Sequence, residues 1–257
     1  MKRLTWAGGL LIAAAIVGAP ATASAQIDQL IGVNAGGFFP TNANGRDAQD
    51  VLAINLDTFS YDPIFAADGT PLGKDVRDAF RNGTFGGEYL LGLGDWVEAG
   101  VGVSYYQKSV DSVYTDYTFP DGADIAQRFK LRMVPVTVSA RFFPIGRTVP
   151  VQPYVGGGIN IYKWKYTESG SFIDFSNPNA NPLPIFTANP PFEDEGTAVG
   201  PVFLAGVRVP FAHNHFLVGG EFRWQGGTAD LDPSQEFAGT KLDLSGVGVV
   251  ATFHVRF

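Results

Sequence analysis

The chain has no cysteine and only three histidines, which excludes thiol catalysis, disulfides, iron–sulfur clusters and Cys-ligated zinc. Charge is what remains for chemistry. Glu88, Glu98, Arg141, Arg208, Glu221, Arg223, His254 and Arg256 fall at one parity of segments whose other parity is apolar. Residues of one parity share a face of a strand, so these charges share an interior. Buried charges must pair, because an unpaired one is very costly. Three Glu against four Arg nearly balance, which predicts a salt-bridge plug; a gated ion or solute path would use the same residues. A second group has the opposite, outward parity: Arg128, Lys130 and Arg132 on one segment, Lys163 and Lys165 on the next. If the two segments form a hairpin about Arg147, residue 130 lies near 164 and five bases converge. Arg and Lys are the residues for phosphate, so the patch is a candidate phosphate contact, and a lipopolysaccharide contact if the strands prove to span an outer membrane. Plain snorkelling at a membrane interface is the simpler alternative.

Other chemistry finds little support. His213 and His215 fall in a short turn and His254 on the inward face, so no enzyme is expected, although triads are set by geometry. Gly156-Gly157-Gly158 lacks the helix and Lys of a phosphate loop. Glu193-Asp194-Glu195 lies in a loop rich in Asn and Pro; its spacing matches no EF-hand, so a solvated acidic loop is expected, with no metal and no cofactor. The net charge of -7 argues against a nucleic-acid partner.

The elements that would position these residues are strands. Period-2 alternation marks eight stretches: 27–39, 81–93, 96–108, 128–143, 150–166, 197–209, 215–226 and 241–257. Long connections (40–80, 109–127, 167–196, 227–240) alternate with short ones. That sorting predicts an all-β, eight-stranded antiparallel up-and-down transmembrane β-barrel with two unlike rims. Val247, Val249, Ala251, Phe253, Val255 and Phe257 give the last strand an apolar face; Gly246, Gly248, Val250, Thr252, His254 and Arg256 give the other. The four long connections hold 19 of the 25 acidic residues and three of the 18 basic ones, which predicts an anionic outer rim.

Residues 1–25 have the layout of a secretory signal peptide: Lys2 and Arg3, an apolar run, then Ala23-Ser24-Ala25. The barrel domain is expected over 26–257, as a monomer with both termini in the periplasm. Two aromatic girdles are expected, with Trp96, Phe142, Phe216 and Phe257 near the short turns. Tyr105, Tyr106, Tyr162, Trp164, Tyr166 and Trp224 would form the other. Pro135, Pro153 and Pro201 fall inside strands and predict local bulges. Leu72, Val76 and Phe80 are spaced for a turn or two of helix on the rim. Val51-Leu52-Ala53-Ile54-Asn55-Leu56 would add a strand, or two strands with a partner.

The exported chain, the alternating strands and Phe257 together resemble the small outer-membrane barrels of the OmpA/OmpX/OmpW type. The segments Met133–Phe143 and Pro153–Asn160 are similar to the fourth and fifth strands of such barrels. The resemblance implies tolerance of proline in those strands. It also implies that Phe253, Val255 and Phe257 form the signal read by the barrel-assembly machinery. The implied role is structural or surface-interacting, at the cell outer membrane. An OmpW-like passage for small hydrophobic molecules is the second reading, and would need an apolar upper lumen between Phe38, Leu90, Tyr106 and Tyr162. A soluble periplasmic β-sandwich is the third.

Overall fold

The computed structural model describes residues 28–177 and 179–257; the expected signal peptide lies outside the described residues. Eight long strands run up and down. They are β1 (Asp28–Pro40), β2 (Asn82–Leu93), β3 (Val97–Thr118), β4 (Asp124–Phe142), β5 (Gln152–Ile173), β6 (Phe192–Phe211), β7 (Phe216–Gln225) and β8 (Gly246–Arg256). Each pairs antiparallel with the next, and β8 returns to β1 from Leu30↔Arg256 to Pro40↔Gly246. The sheet closes on itself, so it is a barrel and not a sandwich.

The strands are unequal. β1, β2, β7 and β8 have 10 to 13 residues, whereas β3, β4, β5 and β6 have 19 to 22. A tilted strand needs about 9–11 residues to cross a bilayer. Half of the wall therefore stands far above the other half, on the long-loop side.

Those tall strands change character part-way up. In the lower half of β4, Val136, Val138 and Phe142 face outward while Arg141 is buried. In its upper half Arg128, Lys130 and Arg132 face outward, and Phe129, Leu131 and Met133 are buried. β5 does the same: Val155, Ile159 and Ile161 are exposed below, with Lys163 exposed and Tyr162, Trp164 and Tyr166 buried above. The alternation never slips by a residue. Only the chemistry of the two faces exchanges, near the Val134↔Lys163 rung.

The connection after β1 fills the upper interior. Asp50 caps the short helix α1 (Val51–Ile54) by accepting from Ala53 N at 3.0 Å. Asp75 caps α2 (Val76–Phe80), accepting from Arg77 N at 2.9 Å. Between the helices, Phe59–Tyr61 pairs with Ser112–Tyr114 and covers the free edge of upper β3. Val51, Leu52, Phe59, Tyr61, Val76 and Phe80 pack with Tyr106, Phe129 and Tyr166 in one apolar core. Arg46 and Asp50, both fully buried, pair at 2.6 Å; Asp243 N donates to Asp50 at 2.6 Å, stapling this lid to the last long connection.

Several expectations change. Val51–Leu56 is helix and 3-10 turn, not strand, because the Asp50 cap starts a helix there; the strand number is eight. Val76 and Phe80 do lie on a short amphipathic helix, with Val76, Ala79 and Phe80 buried in the lid core and Arg77 and Asp78 exposed. Leu72 lies outside it, exposed, on a two-residue strand. The prolines make no bulges. Pairing runs in unchanged register through Pro153↔Val207 and Pro201↔Ile159. It skips two rungs of the β3–β4 ladder at Val134 and Pro135, then resumes in the same register. Pro153 lies beyond the last β4–β5 rung and Pro201 just past the last β6–β7 rung, where the missing N–H costs little. The register shift that does occur is in β3, between Val113 and Thr118. Glu193–Glu195 belongs to strand β6, not to a loop.

Candidate functional site

The lower lumen brings the predicted charges together in two tiers. In the first, Arg141 lies 2.7 Å from Glu88 and 2.9 Å from Glu221. His254 Nε2 is 2.7 Å from Glu88 Oε1, and Tyr154 donates to Glu221 at 2.8 Å. Arg223 pairs with Glu221 and lies 3.9 Å from Glu88. In the second tier, Arg208 holds both oxygens of Glu98, and Arg147 Nε is 2.9 Å from the same carboxylate. Arg147 also pairs with Asp28, which lies 3.1 Å from Arg256 Nε. Leu30, Leu90 and Leu217 form a separate apolar layer, and on β1 and β2 it falls between the tiers. Leu90 therefore does not belong to the upper lumen.

Fitting such long side chains into an eight-stranded interior needs glycine opposite them. A Cβ at Gly92 would come within 2.1 Å of the Arg147 guanidinium, and one at Gly32 within 2.2 Å of the His254 ring. Above the ion pairs, Asn34, Ser104, Thr137, Asn160 and Gln225 line the lumen around cavities of about 20 and 30 Å³. Each is room for a water or two at most. Higher still, Phe38 and Tyr106 meet edge-on at 5.0 Å, and Tyr162 joins them in the lid core.

Asp28 and Arg147 escaped the sequence reading. Asp28 was legible: it has the same even parity as Leu30 and Gly32. Arg147 was not, since it reaches into the lumen from a turn, where parity has no meaning. The expected upper girdle fails at four of its six residues, which have the inward parity of their strands. Tyr105 and Trp224 face outward beside Phe85 and Phe203, each at 5.5 Å, but Tyr106, Tyr162, Trp164 and Tyr166 are core. The lower girdle is outward as expected: Trp96 stacks on Phe142, and Phe216 on Phe253, with Phe257 exposed.

The five outward bases stand on the upper wall, but the register differs from the expected one. Residue 130 opposes 167, not 164, because the hairpin pairs about a centre between residues 148 and 149 instead of about Arg147. Arg128 is spoken for by Asp111 at 2.6 Å, and Lys165 by Glu193 and by Glu195 at 3.7 Å. Lys130 and Arg132 have no carboxylate partner among the described residues.

One buried acid stands apart. Glu168, at the top of β5 and above the apolar belt, is 5% exposed and accepts from Tyr166 Oη at 2.7 Å and Asn55 Nδ2 at 3.0 Å. Neither donor is charged, so burial pushes its carboxyl above the usual carboxylate range. Among the described residues no His, Asp and Glu cluster could hold a metal ion.

No protein-family model matches the chain, and no curated protein matches it. Solved structures similar to it include the outer membrane protein OprG from Pseudomonas aeruginosa. That match has 12% identity, covers 90% of this chain and 96% of that one, and has a TM-score of 0.48. Neisserial surface protein A matches at 12% identity over 90% and 97% of the two chains, with a TM-score of 0.45. Ail, the attachment invasion locus protein of Yersinia pestis, in complex with the heparin analogue sucrose octasulfate, matches at 14% over 90% and 99%, with a TM-score of 0.37. These likenesses are distant, and the barrel stands on its own ring of eight hydrogen-bonded strands.

Proposed function

We propose that the chain is an integral outer-membrane β-barrel with a plugged lumen and a structural or surface-interaction role. The exchange of faces along β3 to β6 carries this reading. Below the Val134↔Lys163 rung the outward side chains of all eight strands form a continuous apolar belt, from Ile31 and Val33 on β1 to Val249 and Phe253 on β8. Water would penalise so large an exposed patch; hydrocarbon would not. Above that rung the outward side chains are charged and polar, as an aqueous surface requires.

The closed, ion-paired lumen supports a plug over a conduit. The apolar upper lumen that a hydrophobic passage would need is filled by α1, α2 and their neighbours. The long connections, with their exposed acids, would then be the contact surface outside the cell, and the short turns and termini would face the periplasm. Phe253 and Val255 lie on the outward face of β8 and exposed Phe257 follows it at the same parity, where an assembly factor could read them before the barrel closes. Nothing in this role needs a catalytic group or cofactor.

The test is migration of membrane-extracted protein on SDS gels with and without boiling, followed by conductance in a planar bilayer. A heat-dependent shift with no steady conductance is the expected result. Recovery of the protein in the soluble periplasm would overturn the membrane reading, and stable conductance would overturn the plug.

A further inference from the structure

Lys130, Arg132, Lys165, Thr167 and Glu193 line an outward depression of about 280 Å³ on β4, β5 and β6. Its composition conflicts with the stability of the bare protein. Arg132 and Lys165 are directly opposite each other across the β4–β5 ladder. Like charges in that relation destabilise a sheet, and Lys130 adds a third charge one outward step along β4. Glu193 lines the depression and engages Lys165; Glu195, opposite Lys165 across the β5–β6 ladder, lies 3.7 Å from the same ammonium. Among the described residues, Lys130 and Arg132 are left without an internal counter-ion. Height supplies the second observation. Arg132 follows Val134, the last large outward apolar side chain of β4, and so stands just above the belt, where lipid headgroups would lie.

We infer that this depression binds a phosphate group of an outer-leaflet lipid, the chemistry that lipopolysaccharide presents. This rests on the membrane reading above. Arg132 offers a planar fork suited to two phosphate oxygens, and Lys130 and Lys165 offer point charges on either side. The Thr167 hydroxyl, on the Lys130↔Thr167 rung, is a neutral donor. Glu193, together with Glu195, becomes the internal competitor that holds Lys165 in place when the site is empty. Of the five outward bases, Arg128 is excluded, because Asp111 already neutralises it.

The full chain in zwitterionic micelles is titrated with lipid A, with dephosphorylated lipid A and with inositol hexakisphosphate, a soluble phosphate probe. The heat-dependent gel shift is followed in parallel, so that a failure of the barrel is distinguished from a failure of the site. Lipid A is expected to bind, and K130Q/R132Q to bind at least tenfold more weakly with the gel shift intact. R77Q/R81Q, which removes two bases from the lid surface, is expected to bind like the wild type. E193Q, which removes the competitor, is expected to bind more tightly, and it tests the site even if the double variant fails to fold. Equal binding by K130Q/R132Q and wild type would overturn the proposal. So would equal affinity for dephosphorylated lipid A, or binding of the soluble phosphate alone.

Discussion

The lower and upper halves of β4 are built from one unbroken alternation, yet they obey opposite rules. Below Val134 the strand is apolar outside and polar inside, and its buried charge is held by ion pairs such as Arg141 with Glu88 and Glu221. Above it the strand is polar outside and apolar inside, and Phe129 packs against Phe59 and Tyr61 at 5.3 Å each. The lower half is held from within by electrostatics and the upper half by a hydrophobic core like that of a soluble domain. A strand's periodicity thus reports that it has two faces; only the identity of the outward residues reports which solvent it meets.

If the two halves are held differently, they should break differently. The largest expected effect is Arg208→Leu, which leaves Glu98 buried with only Arg147 beside it. Breaking a buried pair costs about 3–5 kcal/mol, so unfolding of the whole barrel in urea should move to lower denaturant. Phe129→Ala deletes a fully buried ring at a cost of about 3–5 kcal/mol, but locally. Limited proteolysis should cut the lid over 43–81 while the heat-dependent gel shift survives. Loss of that shift would mean that the halves are one cooperative unit. Val138→Arg places a charge in the middle of the belt and should cost about 2–4 kcal/mol in a bilayer, with little effect on the lid.

The smallest effect sharpens the contrast by pH. The Glu168 carboxyl is raised in the folded lid, so its contribution to stability is fully present below the unfolded value. That contribution is lost as pH rises through the folded one. Protease resistance of the lid should therefore be greater in mild acid than at neutral pH, and Glu168→Gln should reduce that difference. A pH dependence unchanged in E168Q would contradict this assignment to Glu168.

The eight strands were legible because the belt alternates so regularly; their lower ends fall within two residues of expectation, β8 excepted at its upper end, where 241–245 is outside the barrel strand. The upper ends of β3 and β5 were not legible. Val110, Tyr114 and Phe172 continue the inward face, but acids and turn residues interleaved with them gave the texture of loops. The lumen network was mostly legible, since parity alone assigns Glu88, Glu98, Arg141, Arg208 and Glu221 inward. Partners were not, because they depend on shear between strands and on Arg147 entering from a turn. Of the lid only the helix at Val76 and Phe80 was legible: Asp50 and Glu168 counted as loop acids, whereas tertiary packing buries both.

The face exchange at Val134 is tested most directly by single cysteines on the outward side of β4, in a chain that has none of its own. Lys130→Cys, Arg132→Cys, Val136→Cys and Val138→Cys would each be reconstituted in lipid bilayer discs and treated with a membrane-impermeant maleimide. Rapid labelling at 130 and 132, with protection at 136 and 138 until the bilayer is dissolved and the protein denatured, is the predicted result. Equal labelling at all four positions would contradict it.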